Sequence, residues 1–106
     1  MKHLTKKWLC LLLSFYTSFS VAQVNMQDSL ALVVLYNSTN GANWTNTWDL
    51  NQSVEAWYGI EMDEMGFVTI IDLRSNNLNG EISSEIGNLE FLTRIYLQDN
   101  QLNEGN

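Results

Sequence analysis

Residues 68–78 read VTIIDLRSNNL, and residues 92–102, 24 positions later, read LTRIYLQDNQL. Val68, Ile71, Leu73, Asn76 and Leu78 recur as Leu92, Ile95, Leu97, Asn100 and Leu102. Both stretches obey L-x-x-L-x-L-x-x-N-x-L at every defining position, with valine and isoleucine standing in for leucine. A fixed period of this length is the mark of a chain built from stacked structural units.

Each unit reads as a short strand with its apolar residues turned inward, then a turn and an irregular return. One such unit cannot close a core alone, so neighbouring units must stack. Ile71 and Leu73 are expected over Ile95 and Leu97 across a parallel strand pair about 4.8 Å apart. Val68, Leu78, Ile82, Ile86 and Leu89 then fill the coil. Asn76 and Asn100 are expected to turn inward and bond backbone groups of adjacent coils, satisfying amides that packing removes from water.

The return segment LNGEISSEIGNLEFL, residues 78–92, contains Gly80, Ile82, Ile86, Gly87, Leu89 and Leu92. It resembles the plant-type leucine-rich repeat, whose consensus is L-x-G-x-I-P-x-x-I/L-G-x-L-x-x-L. Ser83 stands where that family has proline, and Glu104 takes the glycine place of the second unit. The resemblance implies an α/β solenoid with a parallel sheet.

Upstream, residues 25–66 carry a different pattern. Asp28 reads as the N-cap of a helix over SLALVVLYNST, with Leu30, Val33, Val34 and Tyr36 available to one face. Asn40-Gly41 ends it. A polar loop with Trp44 and Trp48 follows, and then WYGIEMD and GFVTIIDL read as two strands of a hairpin joined by Asp63-Glu64-Met65-Gly66. The order helix, Asn43-Trp44, Trp48, Trp57-Tyr58-Gly59-Ile60 and first strand resembles the N-terminal cap of bacterial and plant-type leucine-rich-repeat proteins. Glu55 and Met62 occupy the places of the plant cap's cysteines, so the cysteine-free bacterial version is the nearer match.

The first 22 residues have another character. Lys2, Lys6 and Lys7 precede the apolar Trp8–Leu13, Phe15 and Tyr16, and Ser20-Val21-Ala22 offers small residues at a cleavage site. This is the form of a secretory signal peptide cut after Ala22. Ser14, Thr17, Ser18 and Ser20 break the run well before the roughly 20 apolar residues of a spanning helix. The expected division is therefore 1–22 signal peptide, 23–67 cap and 68–106 repeats, one complete and one partial. The second unit breaks off at Asn106, and the chain is expected to be a fragment or a truncated product.

Removal of residues 1–22 would leave Arg74 and Arg94 against all twelve carboxylates, a net charge of −10, with no cysteine and no histidine. Such a surface excludes nucleic acid as a partner, because phosphate contacts need clustered cations. It also disfavours anionic lipid, and no membrane insertion is expected after cleavage. Imidazole and thiol catalysis are absent, no cofactor is implied, and no enzymatic activity is expected. Glu61, Asp63 and Glu64 lack the frame of a calcium loop, so a solvated acidic turn is read there and no metal site. Three acceptor sequons begin at Asn37, Asn43 and Asn51, in an Asn-rich region where such triplets arise by composition.

Trp44, Trp48 and Trp57 could stack on sugars, but sealing the hydrophobic end of a repeat stack is the better use of three indoles. Strand alternation assigns the variable positions to the concave face. These are Ile70, Asp72, Arg74 and Ser75 in the first unit, with Arg94, Tyr96, Gln98 and Asp99 in the second. The mixture suits polar protein recognition with an aromatic anchor. A secreted or cell-surface binding module for a protein ligand is therefore expected. A glycan-binding adhesion module, or the recognition part of a longer receptor or enzyme, are the alternatives.

Overall fold

The computed structural model describes residues 24–103. The signal-peptide reading, with His3 and Cys10, lies outside them, as do Glu104, Gly105 and Asn106. None of the described helices is long and apolar enough to cross a membrane.

Helix α1 spans Met26–Ser38, and its N-cap is Asn25, whose side chain accepts the amides of Gln27 and Asp28. The expected cap at Asp28 is therefore corrected by one turn. Both residue types can cap, but the Asp28 side chain is fully buried and its Oδ2 accepts the Val68 amide at 2.8 Å. The buried stripe is corrected in part: Ala31, Leu32 and Leu35 enter the core, Val33 and Tyr36 pack against it half-buried, and Leu30 is exposed. Burying each leucine contributes about 1.5–3 kcal/mol. Asn40, left-handed at φ 61°, turns the chain out of the helix, and Thr39 closes it by donating Oγ1–H to the Leu35 carbonyl at 2.6 Å.

Strands β1 (Ile60–Met62) and β2 (Val68–Asp72) form the expected antiparallel hairpin. Its turn is held by Asp63, whose Oδ1 accepts the amides of Met65 and Phe67 at 2.9 and 3.0 Å. The register shifts between Glu61 and Met62, leaving Thr69 as the extra residue of a bulge. Gly59, at φ +81°, lies so close to the Asp72 carbonyl that a Cβ would collide with it.

The repeat spacing becomes a register. Strand β4 (Arg94–Tyr96) pairs in parallel with β2, placing Ile71 opposite Ile95. A second parallel pair joins β3 (Asn79–Gly80) to β5 (Gln101–Leu102). Between the pairs, a 3₁₀ segment over Ser84–Asn88 returns the chain. Ser83, in the proline place, has φ −72° and caps that segment by accepting the Glu85 amide. Proline's fixed φ is thus reproduced without proline.

The first unit is fully packed: Val68, Ile71, Leu73 and Leu78 have no exposed surface. At the far side Leu92, Leu97 and Leu102 are half-buried and Ile95 is exposed. Three buried indoles close the opposite end. Trp44, Trp48 and Trp57 donate their Nε1–H groups to the carbonyls of Thr39, Tyr58 and Asp49, each at 2.9 Å. Trp48 stacks on Trp57 at 4.9 Å and meets Trp44 edge-on at 4.8 Å.

Asparagines join the layers. Asn76 is buried; its Oδ1 accepts the Asn46 amide at 2.7 Å and its Nδ2 donates to the Asn46 carbonyl at 3.1 Å. Asn100 repeats the arrangement one coil on, accepting the amides of Asn76 and Leu78 at 3.0 and 2.9 Å. Its Nδ2 donates to the Leu73 and Leu97 carbonyls, both at 2.9 Å.

Candidate functional site: the exposed face of the sheet

Because Ile71 and Leu73 point into the core, their neighbours must face outward. The pairing sets Ile70 beside Arg94 and Asp72 beside Tyr96, and β1 adds Glu61 opposite Ile70. One face thus carries residues from three strands.

Arg74 dominates its middle. Its Nε donates to Asp72 Oδ1 at 2.9 Å and its Nη2 to Oδ2 at 2.7 Å, a two-pronged pair. The same guanidinium lies 5.0 Å from the centre of the Tyr96 ring, within cation–π range. The Arg74 side-chain hydrogen bond holds the Asp72 carboxyl below its ordinary range, against a smaller opposing effect of burial. Asp72 in turn raises the Arg74 pKa, with Tyr96 and Tyr58 adding to the effect. Fork geometry of this kind fixes an otherwise floppy side chain.

Ser75 and Asp99 sit where the strands have ended, both left-handed, at φ 51° and 60°. Strand alternation therefore does not place them. Each backbone must bend there so that the next residue, Asn76 or Asn100, can turn inward. The two meet at the rim, where Ser75 Oγ donates to Asp99 Oδ2 at 3.4 Å. Gln98 is exposed and receives the Ser75 amide on its carbonyl at 2.9 Å.

No family model matches the chain. A receptor-like protein kinase of Ipomoea nil is 29% identical over 91 residues, covering 83% of this chain and 8% of the kinase. A solved leucine-rich repeat protein from Bacteroides eggerthii superposes with a TM-score of 0.60 at 28% identity, over 65% of this chain and 12% of that protein. The chain shares the fold of leucine-rich-repeat proteins.

The solved structure of PEPR1-AtPEP1 has the same fold, with a TM-score of 0.57 at 22% identity over 71% of this chain. The chain spans about a tenth of the length of each relative, 8%, 12% and 11% respectively. Ile70, Asp72, Arg94 and Tyr96 are paired across β2 and β4, Arg74 joins them through Asp72 and Tyr96, and Ser75, Gln98 and Asp99 follow at the strand ends.

Two features of the face were not read from the repeats. Glu61 reaches it from the cap hairpin, so this surface begins one strand before the repeats do. The Asp72–Arg74 fork is a D-x-R pair two residues apart, a spacing that places both side chains on one side of a strand. Among the described residues no group of three or more His, Cys, Asp or Glu side chains is arranged to hold a metal.

Proposed function

We propose that this chain is the cap and first coils of an exported leucine-rich-repeat solenoid, and that the outer face of β1, β2 and β4 binds a protein ligand. In this reading residues 1–22 direct export and are removed, residues 23–67 form the cap, and residues 68–106 belong to the repeats.

One observation carries the assignment of the face. Both cations of residues 24–103, Arg74 and Arg94, lie there together with Tyr96. Glu61, Asp72 and Asp99 share the face, so both signs of charge meet there. Tyrosine and arginine are the side chains that anchor protein interfaces, and the surrounding negative field would turn away acidic competitors. The relatives point the same way: one is named a receptor-like kinase, and another structure names two components, PEPR1 and AtPEP1.

A photo-reactive phenylalanine analogue at position 96 tests this. It should crosslink a protein from the source's surface fraction, and an Arg94→Glu change should suppress the product. The same analogue at position 55 should yield none. Equal crosslinking from both positions would overturn the assignment, and binding to a glycan array that Tyr96→Ala abolishes would favour the adhesion reading.

A further inference from the structure

Away from the sheet face, several of the largest exposed apolar side chains gather where α1 begins. Met26 is 74% exposed, Leu30 59%, Met65 75% and Phe91 48%. Three contacts bring their segments together. The Asn25 amide donates to the Gly66 carbonyl at 2.8 Å, tying the helix start to the hairpin turn beside Met65. Gln27 Nε2 donates to the Asn88 carbonyl at 3.0 Å, tying the helix to the segment that leads into Phe91. Phe67 packs on Phe91 with ring centres 4.4 Å apart. These two phenylalanines are 24 residues apart, so the apolar corner repeats with the coils.

Between α1 and the 3₁₀ segment lies an open groove of about 510 Å³, with Met26, Leu30, Ala31 and Val34 on one wall and Glu85 and Asn88 on the other. Met26, Leu30 and Val34 are spaced by four, so they form one helix stripe, separate from the stripe of Leu32 and Leu35 that fills the core. Met26 and Leu30 of that stripe are exposed, and Val34 is half-buried against the 3₁₀ segment. Glu85 lines the groove itself, Glu64 and Glu90 adjoin Met65 and Phe91 in sequence, and both described arginines belong to the sheet face.

We infer that this corner is a second docking surface, which receives an amphipathic protein segment. Apolar side chains of that segment enter the groove and reach Phe91, while its lysines or arginines meet the carboxylates of Glu64, Glu85 and Glu90. An apolar stripe in a groove selects residues at helical spacing, and the one-signed rim selects the partner's charge. The same rim opposes the alternatives. It repels anionic headgroups, and a second copy of the chain would set carboxylates against carboxylates.

Titration of the whole chain with a synthetic amphipathic helix of leucine and lysine, followed by NMR, tests the inference. Amide shifts should map to Met26–Val34 and Glu85–Phe91. Leu30→Gln and Phe91→Ser, both at exposed positions and checked by thermal melts, should each weaken binding by about tenfold, and Tyr96→Ala should leave it unchanged. Equal binding of a serine–lysine peptide of the same charge would overturn the proposal, because charge alone would then account for it. So would shifts that follow the sheet face instead, a dimer that Leu30→Gln dissolves, or attachment to phosphatidylserine vesicles that the same change abolishes.

Discussion

The Asp28 carboxylate of the capping helix accepts the backbone amide of Val68, 40 residues away, at 2.8 Å, with both residues buried. It therefore fixes where the first repeat strand begins. Asp28→Ala should strand a buried N–H, costing about 1–3 kcal/mol and lowering the melting temperature by roughly 5–20 °C. Asp28→Asn keeps an acceptor oxygen and should cost less. Urea unfolding distinguishes the two; an alanine variant as stable as the parent would show that the amide needs no partner.

The pattern 68–78 against 92–102 was enough to read the β2–β4 register, because inward residues at a fixed period have one way to stack. The helix start was less legible. Asn25 and Asp28 are both good caps, and nothing local shows that Asp28 is required by Val68. The buried helix stripe was read only in part for a related reason: Val33 and Tyr36 pack on the core and Leu30 does not, because α1 is apolar on two sides and periodicity could not say which faces inward. On the candidate face the repeat positions could be read directly, whereas Glu61 enters through an antiparallel hairpin that follows no repeat.

Removing either ladder asparagine should loosen a different layer. Asn100→Ala frees the amides of Asn76 and Leu78, and Asn76→Ala frees that of Asn46. Each should cost about 1–3 kcal/mol, with the larger loss at the fully buried Asn76. Hydrogen exchange should show the loss of protection at those named amides; uniform acceleration throughout the chain would contradict a layer-by-layer role.

Trp48 touches both other indoles of the cap and donates to the Tyr58 carbonyl. Trp48→Ala should cost about 3–5 kcal/mol. Trp48→Phe retains an aromatic ring and should lose mainly the hydrogen bond, about 0.5–1.5 kcal/mol. Near-ultraviolet circular dichroism should report the broken Trp48–Trp57 stack in both, and guanidinium unfolding should give the order of stability. A phenylalanine variant as unstable as the alanine variant would mean that ring packing is not the main contribution.

The Asp72–Arg74 pair predicts a pH response of the sheet face. Since the folded Asp72 pKa is lowered, chiefly by the Arg74 hydrogen bond, the pair's contribution is present above the ordinary carboxylate range. It is lost as pH falls through the depressed folded value. Carbon-detected NMR titration should show Asp72 ionised where unperturbed carboxyls have already protonated. Arg74→Gln should return it toward the ordinary value, and an Asp72 titration unmoved by that change would remove the basis for a preformed fork.

The hairpin bulge at Thr69 has a consequence for growth of the sheet. Strand β1 is only three residues long, runs against the others and places Glu61 at the margin. Short, bulged and charged margins discourage addition of foreign strands. The opposite margin, β4, is parallel to its neighbour and follows the 24-residue register without a bulge. The sheet is therefore directional, like a zipper with a stop at one end: strands of like sequence can be added in sequence beyond β4, whereas the margin at β1 discourages addition.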